Sequence, residues 1–295
     1  MMKKIVMSLL AVACLGISAQ AQLLWKISGN GVTKPSFLVG THHIAPAGMQ
    51  DSIAGLDAAI QSVDQVWGEV VMSEMTSPQG MIELQKFMAA PADSTLNLLL
   101  QPAQLDSVAT TLSKYVGAEV PAAQLIYFRP AVISAQLAVL QSMAAIPGFN
   151  PNAQLDGVIQ QLGAKAGKSI HGLETVAQQL ALLYGAPLTE QAADLMEQVR
   201  LDGVAAGKAR EMAAAYMSGN LAALKDLMTD PAMGMSPEEA DKLINDRNSA
   251  WVDFLIGALP TTSMLIAVGA GHLPGEKGVI NLLQKAGFEV SPLTE

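Results

Sequence analysis

Apolar residues along this chain follow two rhythms, and the two are kept apart. Strand-length apolar runs gather at the ends. Leu23 to Ser28, a Gly29-Asn30-Gly31 turn and Ser36 to Val39 predict a hairpin. Met264 to Val268 and Phe288 to Val290 predict two strands near the C-terminus. Gln65 to Met72 predicts another, carrying Glu69 among Val66, Trp67, Val70 and Val71. Between these runs the spacing changes to three and four residues, the period of a helix with one buried face. Ile53, Leu56, Ile60 and Val63 predict a helix over Asp51 to Val63, and Leu105, Val108, Leu112 and Val116 mark the next. Pro130 opens a helix that must end before Pro147-Gly148, and Leu155 to Ala166 forms a short one. Ser169 to Leu173 reads as a strand followed by a helix to Tyr184. Long helices follow over Thr189 to Met217 and Ser236 to Leu259, the second opening with the capping box Ser236-Pro237-Glu238-Glu239. A last helix covers Gly275 to Ala286. The expected architecture is a single α/β domain. Its mixed sheet is built from N- and C-terminal segments, with a largely helical middle region packed around it.

The first residues stand outside this pattern. Lys3 and Lys4, an apolar run from Ile5 to Ile17 and Ala19-Gln20-Ala21 read as a secretory leader over 1–21, leaving a domain over 22–295. The mature protein is then exported to the periplasm or beyond the cell. Acylation at Cys14 is disfavoured, because Cys14 lies inside the apolar run and Ala11 stands where such leaders carry leucine. Loss of the leader removes the only cysteine, and with it any disulfide or thiolate chemistry. The net charge of −9 becomes −11 once Lys3 and Lys4 leave, which speaks against a nucleic-acid partner. No stretch of the mature chain is long and apolar enough to span a bilayer; the nearest, Pro121 to Pro147, is broken by Arg129 and several glutamines.

The chemistry is concentrated in two segments of similar wording. An apolar run leads into Gly40-Thr41-His42-His43-Ile44-Ala45-Pro46, and another leads into Gly269-Ala270-Gly271-His272-Leu273-Pro274. Together they hold three of the four histidines. A glycine at a strand end lets the backbone turn at positive φ, and a histidine three residues on then projects from the carboxyl edge of the sheet, where open α/β sheets place ligands. Gly269-Ala270-Gly271 is not a dinucleotide fingerprint, since Pro274 stands where its third glycine belongs. Glu69, in an apolar strand, is costly to bury unless paired or bound to a cation. His43, His272 and Glu69 make a set suited to a divalent ion with open positions for water or substrate. His42 is a ligand in place of His43 or a residue that orients one. Arg247 and Asn248 are candidates to hold a substrate carboxylate or an oxyanion, with an interhelical contact the alternative. Glu174, a candidate helix cap, and Tyr127 and Arg129, ahead of the helix at Pro130, are lesser candidates; His171 reads as structural.

These motifs, in this order, resemble the TraB/GumN family: Gly40-x-x-His43, Glu69 in the next strand, His171-Gly172-Leu173-Glu174-Thr175 with Gln178 or Gln179 behind it, Arg247-Asn248 with Trp251, and Gly269-x-x-His272-Leu273-Pro274-Gly275. The likeness runs from about Trp25 to Pro292. The family includes the Tiki proteases, which cleave the N-terminal region of Wnt proteins. The resemblance implies a fold similar to erythromycin-esterase and ChaN-type proteins, with both Gly-x-x-His motifs and the glutamate in the active site. It also implies a metal-dependent peptidase favouring manganese or cobalt, with zinc left open, bound by His43, His272 and Glu69. The family often carries Gly-Val-Asp or Gly-Ile-Asp where this chain has Gln154-Leu155-Asp156, which leaves the role of Asp156 open. The expected function is a secreted metal-dependent hydrolase acting on a peptide or small molecule. The rivals are a protein that sequesters a metal, haem or peptide without catalysis, and a metal-free hydrolase with histidine as general base.

Overall fold

The computed structural model describes residues 23–230 and 234–293; the expected leader, the cleavage site read for it and Cys14 lie outside them. Six strands form one mixed sheet: β1 (Leu24–Gly29), β2 (Ser36–Thr41), β3 (Gln65–Gly68), β4 (Ser169–Gly172), β5 (Met264–Gly269) and β6 (Phe288–Pro292), in the order β4-β3-β5-β2-β1-β6. The α/β class is as expected, and the sheet joins both chain ends, with β3 and β4 extending it. β1 and β2 are the hairpin, and β6 adds antiparallel to β1. β2, β5, β3 and β4 run parallel to one another. Met264 to Val268 are all buried, as a central parallel strand with covered faces requires.

This topology places four carboxyl strand ends along one edge. Thr41 lies opposite Gly269, and Gly68 lies opposite both Ala267 and Gly172. The helix Leu155–Lys165 packs closely against β3 because Gly163 has no side chain; a Cβ there would meet Val66 Cγ2 at 2.7 Å. Asp156 and Gln160 share a face with Gly163 by their helical spacing. The close approach at Gly163 therefore carries both polar side chains to the sheet edge. A separate apolar cluster, with Leu96, Val108, Leu137 and Leu195 at its centre, holds the helical middle together.

The structure corrects several sequence expectations. The strand expected to reach Met72 ends at Gly68, and Met72–Met75 is helical. The Gln160 amide is the reason: it accepts from the Met72 N–H at 2.9 Å and donates to Val70 O at 2.8 Å, so these groups need no neighbouring strand. The single helix expected over Thr189 to Met217 is two, Leu188–Arg200 and Asp202–Met217. Asp202 pins the second start by accepting from Tyr115 at 2.6 Å and Gln141 at 2.8 Å. The helix expected from Asp51 begins at Leu56, after a 3-10 turn at Met49–Ser52, and the one expected from Gly275 begins at Val279. The late helix runs from Pro237 to Ala258 through a π turn at Asp241–Asn245.

The motif glycines serve space rather than positive φ. Neither Gly40 nor Gly269 lies in the left-handed region. A Cβ on Gly40 would press on Ala270 Cβ at 3.1 Å and Leu273 Cδ2 at 3.2 Å, and one on Gly269 would stand 3.3 Å from Glu69 Oε1. Each glycine lets one histidine loop close on the other or on the glutamate. Gly40→Ala is expected to lower stability by roughly 1–3 kcal/mol through overpacking. Gly157→Ala, in open helical space, should be neutral or raise stability by up to about 1 kcal/mol. Denaturant unfolding of the two variants measures both signs.

Candidate active site

The parallel register brings the two histidine loops together. His43, Glu69 and His272 all line a cavity of about 600 Å³ at the carboxyl edge of the sheet, with Thr41, His42, Asp156, Gln160, Gln179 and Arg247. Glu69 lies one residue beyond β3 and is only 7% exposed. Its Oε1 accepts from the Gly269 N–H at 2.8 Å, and its Oε2 from Arg247 Nη2 at 2.6 Å and Gln179 Nε2 at 3.3 Å. The carboxylate is thus the seam between the two halves of the site.

Arg247 is fixed from every side. Nε donates to Glu174 Oε1 at 2.7 Å and Nη2 to Glu174 Oε2 at 3.0 Å, the two-pronged pairing that a planar guanidinium allows. Nη1 donates to Leu243 O at 3.0 Å, inside the π turn, and to His272 Nε2 at 3.2 Å. With Glu69, that gives every one of the guanidinium's five N–H groups a protein acceptor. None remains for a substrate carboxylate in this arrangement. Trp251 supports the cluster from the same helix: its Nε1 donates to Glu174 Oε1 at 3.1 Å, and its ring lies beneath the guanidinium at 4.7 Å. Glu174 is therefore the partner of Arg247 and Trp251; the expected helix cap is Thr175.

Asn248 sets the state of His272. Its Nδ2 donates to His272 O at 3.2 Å and Lys277 O at 2.8 Å, so its Oδ1 must accept from His272 Nδ1–H, at 2.7 Å. The remaining nitrogen, Nε2, accepts from Arg247. Burial pushes His272 down to about 4; Glu69 opposes the shift, while Arg247 and His43 add to it. His272 is accordingly neutral near pH 7. Burial also opposes ionisation of Glu69, but the histidines, Arg247 and the Gly269 N–H hold it below the usual carboxylate range. With His272 neutral, Arg247 supplies most of that positive charge.

His43 has the opposite character. Its Nδ1 lies 3.2 Å from Asp156 Oδ2, and Asp156 Oδ1 accepts from Thr41 Oγ1 at 2.6 Å. The charge of Asp156 and its hydrogen bond to the ring outweigh burial and raise His43 to about 9. The His43 side chain opens on the cavity, 62% exposed, where water screens part of that pull but does not change its sign. Asp156 itself is held below the usual carboxylate range: His43 and Thr41 outweigh the opposing effect of burial. His42 turns inward, with its Nδ1 buried and unpartnered and its ring 5.1 Å from that of Tyr216. Tyr216 donates to Gly40 O at 2.9 Å and so ties the first histidine loop to the helix Asp202–Met217. Burial, reinforced by His43, lowers His42 to about 4.

The lesser candidates fall elsewhere. Tyr127 is 65% exposed, Arg129 is tied to Ala89 O and Tyr184 O, and neither lines the cavity. His171 stacks on Trp67 at 4.8 Å, a structural role. The residues that sequence reading undervalued are Asp156, Gln160 and Glu174. The one available signal was a carboxylate in the first turn of a short helix, at Asp156.

For a divalent ion the donor set is half prepared. Both His43 and His272 have Nδ1 beside an oxygen and Nε2 free of backbone, the arrangement of metal-binding imidazoles. However, an ion shared by Glu69 and His272 would have to sit where Arg247 already contacts both. Among the described residues no group of three His, Asp, Glu or Cys side chains is arranged to hold a metal. As arranged, the three expected ligands do not fit one ion.

An α/β protein with its polar site at the carboxyl edge of a parallel sheet, built from two histidine loops and a buried glutamate, is the class that fold and site define. The model of the TraB/PrgY/gumN family matches residues 23–292, and the chain belongs to that family. No curated protein and no solved structure matches the chain.

The three histidines by the cavity make stability depend on pH in two directions. A free histidine titrates near 6.5. Between about 4 and 6.5 the unfolded chain binds protons that buried His42 and His272 refuse, so stability falls as pH drops. The loss at full protonation is on the order of 3 kcal/mol for each histidine. Above 6.5 the folded chain holds the proton on His43 more tightly, and that contribution fades as pH rises toward 9. Unfolding free energy should therefore peak near pH 6.5, and His272→Gln should flatten the acid limb.

Proposed function

We propose that this protein is a hydrolase in which His43, oriented by Asp156, activates a water molecule for attack on a peptide or ester carbonyl in the cavity. The observation that carries this reading is the chain Thr41–Asp156–His43. A carboxylate fixed by one neighbour holds the Nδ1 side of an imidazole and leaves Nε2 facing the cavity. His43 in its neutral form takes a proton from water as the water oxygen bonds to the carbonyl carbon. The imidazolium then returns a proton to the leaving amine or alkoxide. Glu69 and His272, held by Arg247 and Asn248, keep the opposite wall polar and water-binding without titrating near neutral pH. Export by the leader, to the periplasm or beyond, belongs to the same proposal.

The base must be unprotonated before attack. For the free enzyme, log(kcat/KM) should rise with a slope near 1 from about pH 6.5 toward 9, the range set by Asp156. Asp156→Asn should move that rise to lower pH as well as lowering the maximum. His43→Gln should lower kcat/KM by roughly 100-fold or more. The measurement is cleavage of a mixed peptide and ester panel across pH. A profile that Asp156→Asn leaves in place would refute the role given to His43.

The second reading is a manganese, cobalt or zinc hydrolase with His43, His272 and Glu69 as ligands. It is favoured by the Nδ1 partners of both histidines and requires Arg247 to withdraw. Elemental analysis of protein purified without chelators decides between the readings. Stoichiometric metal, lost in both His43→Ala and His272→Ala, would establish the second; turnover that survives thorough chelation supports the first. A visible absorption band without turnover would instead point to haem sequestration.

A further inference from the structure

The charged groups of the cavity floor satisfy one another. Arg247 has an acceptor for each N–H, Glu69 takes Gly269, Arg247 and Gln179, and Asp156 takes Thr41 and His43. Among the described residues that line the cavity, Arg247 is the one Lys or Arg side chain. The site's two cations, Arg247 and protonated His43, are each already paired with a carboxylate. In the unprotonated form of His43 that activates water, a substrate carboxylate would meet Glu69 and Asp156 with no unpaired cation to offset the repulsion.

The upper walls are apolar and of an unusual kind. Met72 and Met75 come from the short helix after β3, Met212 from the helix Asp202–Met217, Met228 from the helix Leu221–Met228, and Met235 from the segment before Ser236. Five methionines from four separate elements converge on one opening, each half-buried and presenting part of its side chain to the cavity. Met228 lies directly on the second histidine loop, since a Cβ on Gly271 would meet its Sδ at 2.6 Å. Methionine is unbranched and polarizable, and surfaces lined with it adapt to apolar groups of different shapes. The volume of about 600 Å³ lies in the usual range for a ligand-sized cleft.

We infer that this site selects an uncharged substrate whose reacting carbonyl is flanked by large, flexible apolar groups, and that the five methionines form the subsite that holds them. The inference deepens the hydrolase reading by naming its substrate class. The apolar subsite itself, however, is open to test without turnover.

The test uses the full mature protein and binding alone. Nile red is titrated by fluorescence and then displaced by N-acetyl-Leu-Leu-amide, by N-acetyl-Glu-Glu-amide and by a medium-chain acyl ester. The Leu-Leu amide or the acyl ester should displace the dye at least about tenfold more effectively than the Glu-Glu amide, and which of the two does so tells peptide from acyl substrate. Met75→Glu should weaken dye binding by about tenfold or more. If Met75→Glu melts below wild type, the paired Met72→Ala and Met75→Ala variants take its place, with the same direction expected. Equal displacement by both dipeptides, or unchanged dye affinity in every methionine variant, overturns the inference. Selective apolar binding with no hydrolysis of the matching substrates sinks the hydrolase reading and leaves the subsite standing.

Discussion

A guanidinium buried between two carboxylates holds this site in place. Arg247, Glu69 and Glu174 come from three distant parts of the chain, and each is at most 13% exposed in its side chain. In such surroundings a lone charge is far more costly than a paired one: removing Arg247 leaves two uncompensated carboxylates, and removing either glutamate leaves guanidinium N–H groups without their acceptor. The planar Arg247 fork matches its acceptors without remainder, which makes the cluster an orienting device as much as an electrostatic one. It fixes Glu69 against the second histidine loop and aims a donor at His272. The remaining geometry of the pocket follows from those two contacts.

The two motif histidines are consequently unlike. His272 is walled in by Asn248, Trp251 and Arg247 and stays neutral. His43 sits by the opening with a carboxylate behind it and favours its charged form. One repeated phrase in the sequence thus yields two different chemical groups, because the phrase sets where an imidazole starts but not what surrounds it. The same internal pairing that stabilises the floor leaves the apolar walls to choose the ligand. A site whose charges are already matched discriminates by shape and desolvation rather than by ionic contact.

Much of this was legible in the chain. Strands β1, β2 and β5 announced themselves as bounded apolar runs, and the paired histidine phrases pointed to one shared edge of a sheet. The limit was reached wherever a residue's role depends on a partner far along the chain. Glu174 reads locally as a helix cap, and only the approach of Arg247 and Trp251 gives it another function. Gln160 ends β3 early by replacing a strand neighbour, an effect no local pattern encodes. Gly40 and Gly269 were read as turn formers, yet the structure needs them because two loops meet there. Asp202 breaks a helix whose apolar spacing continues past the break.

The dependence of the site on the Arg247–Glu69 contact is measured most directly by a double-mutant cycle. Arg247→Met, Glu69→Gln and the pair are compared with wild type by denaturant unfolding at pH 7. The account predicts a coupling free energy of at least about 2 kcal/mol, with the double variant losing less than the two single changes summed, although Glu174 loses its cation wherever Arg247 is replaced. Additive losses, with coupling near zero, would mean that the two side chains do not depend on each other, and the central clamp would be contradicted.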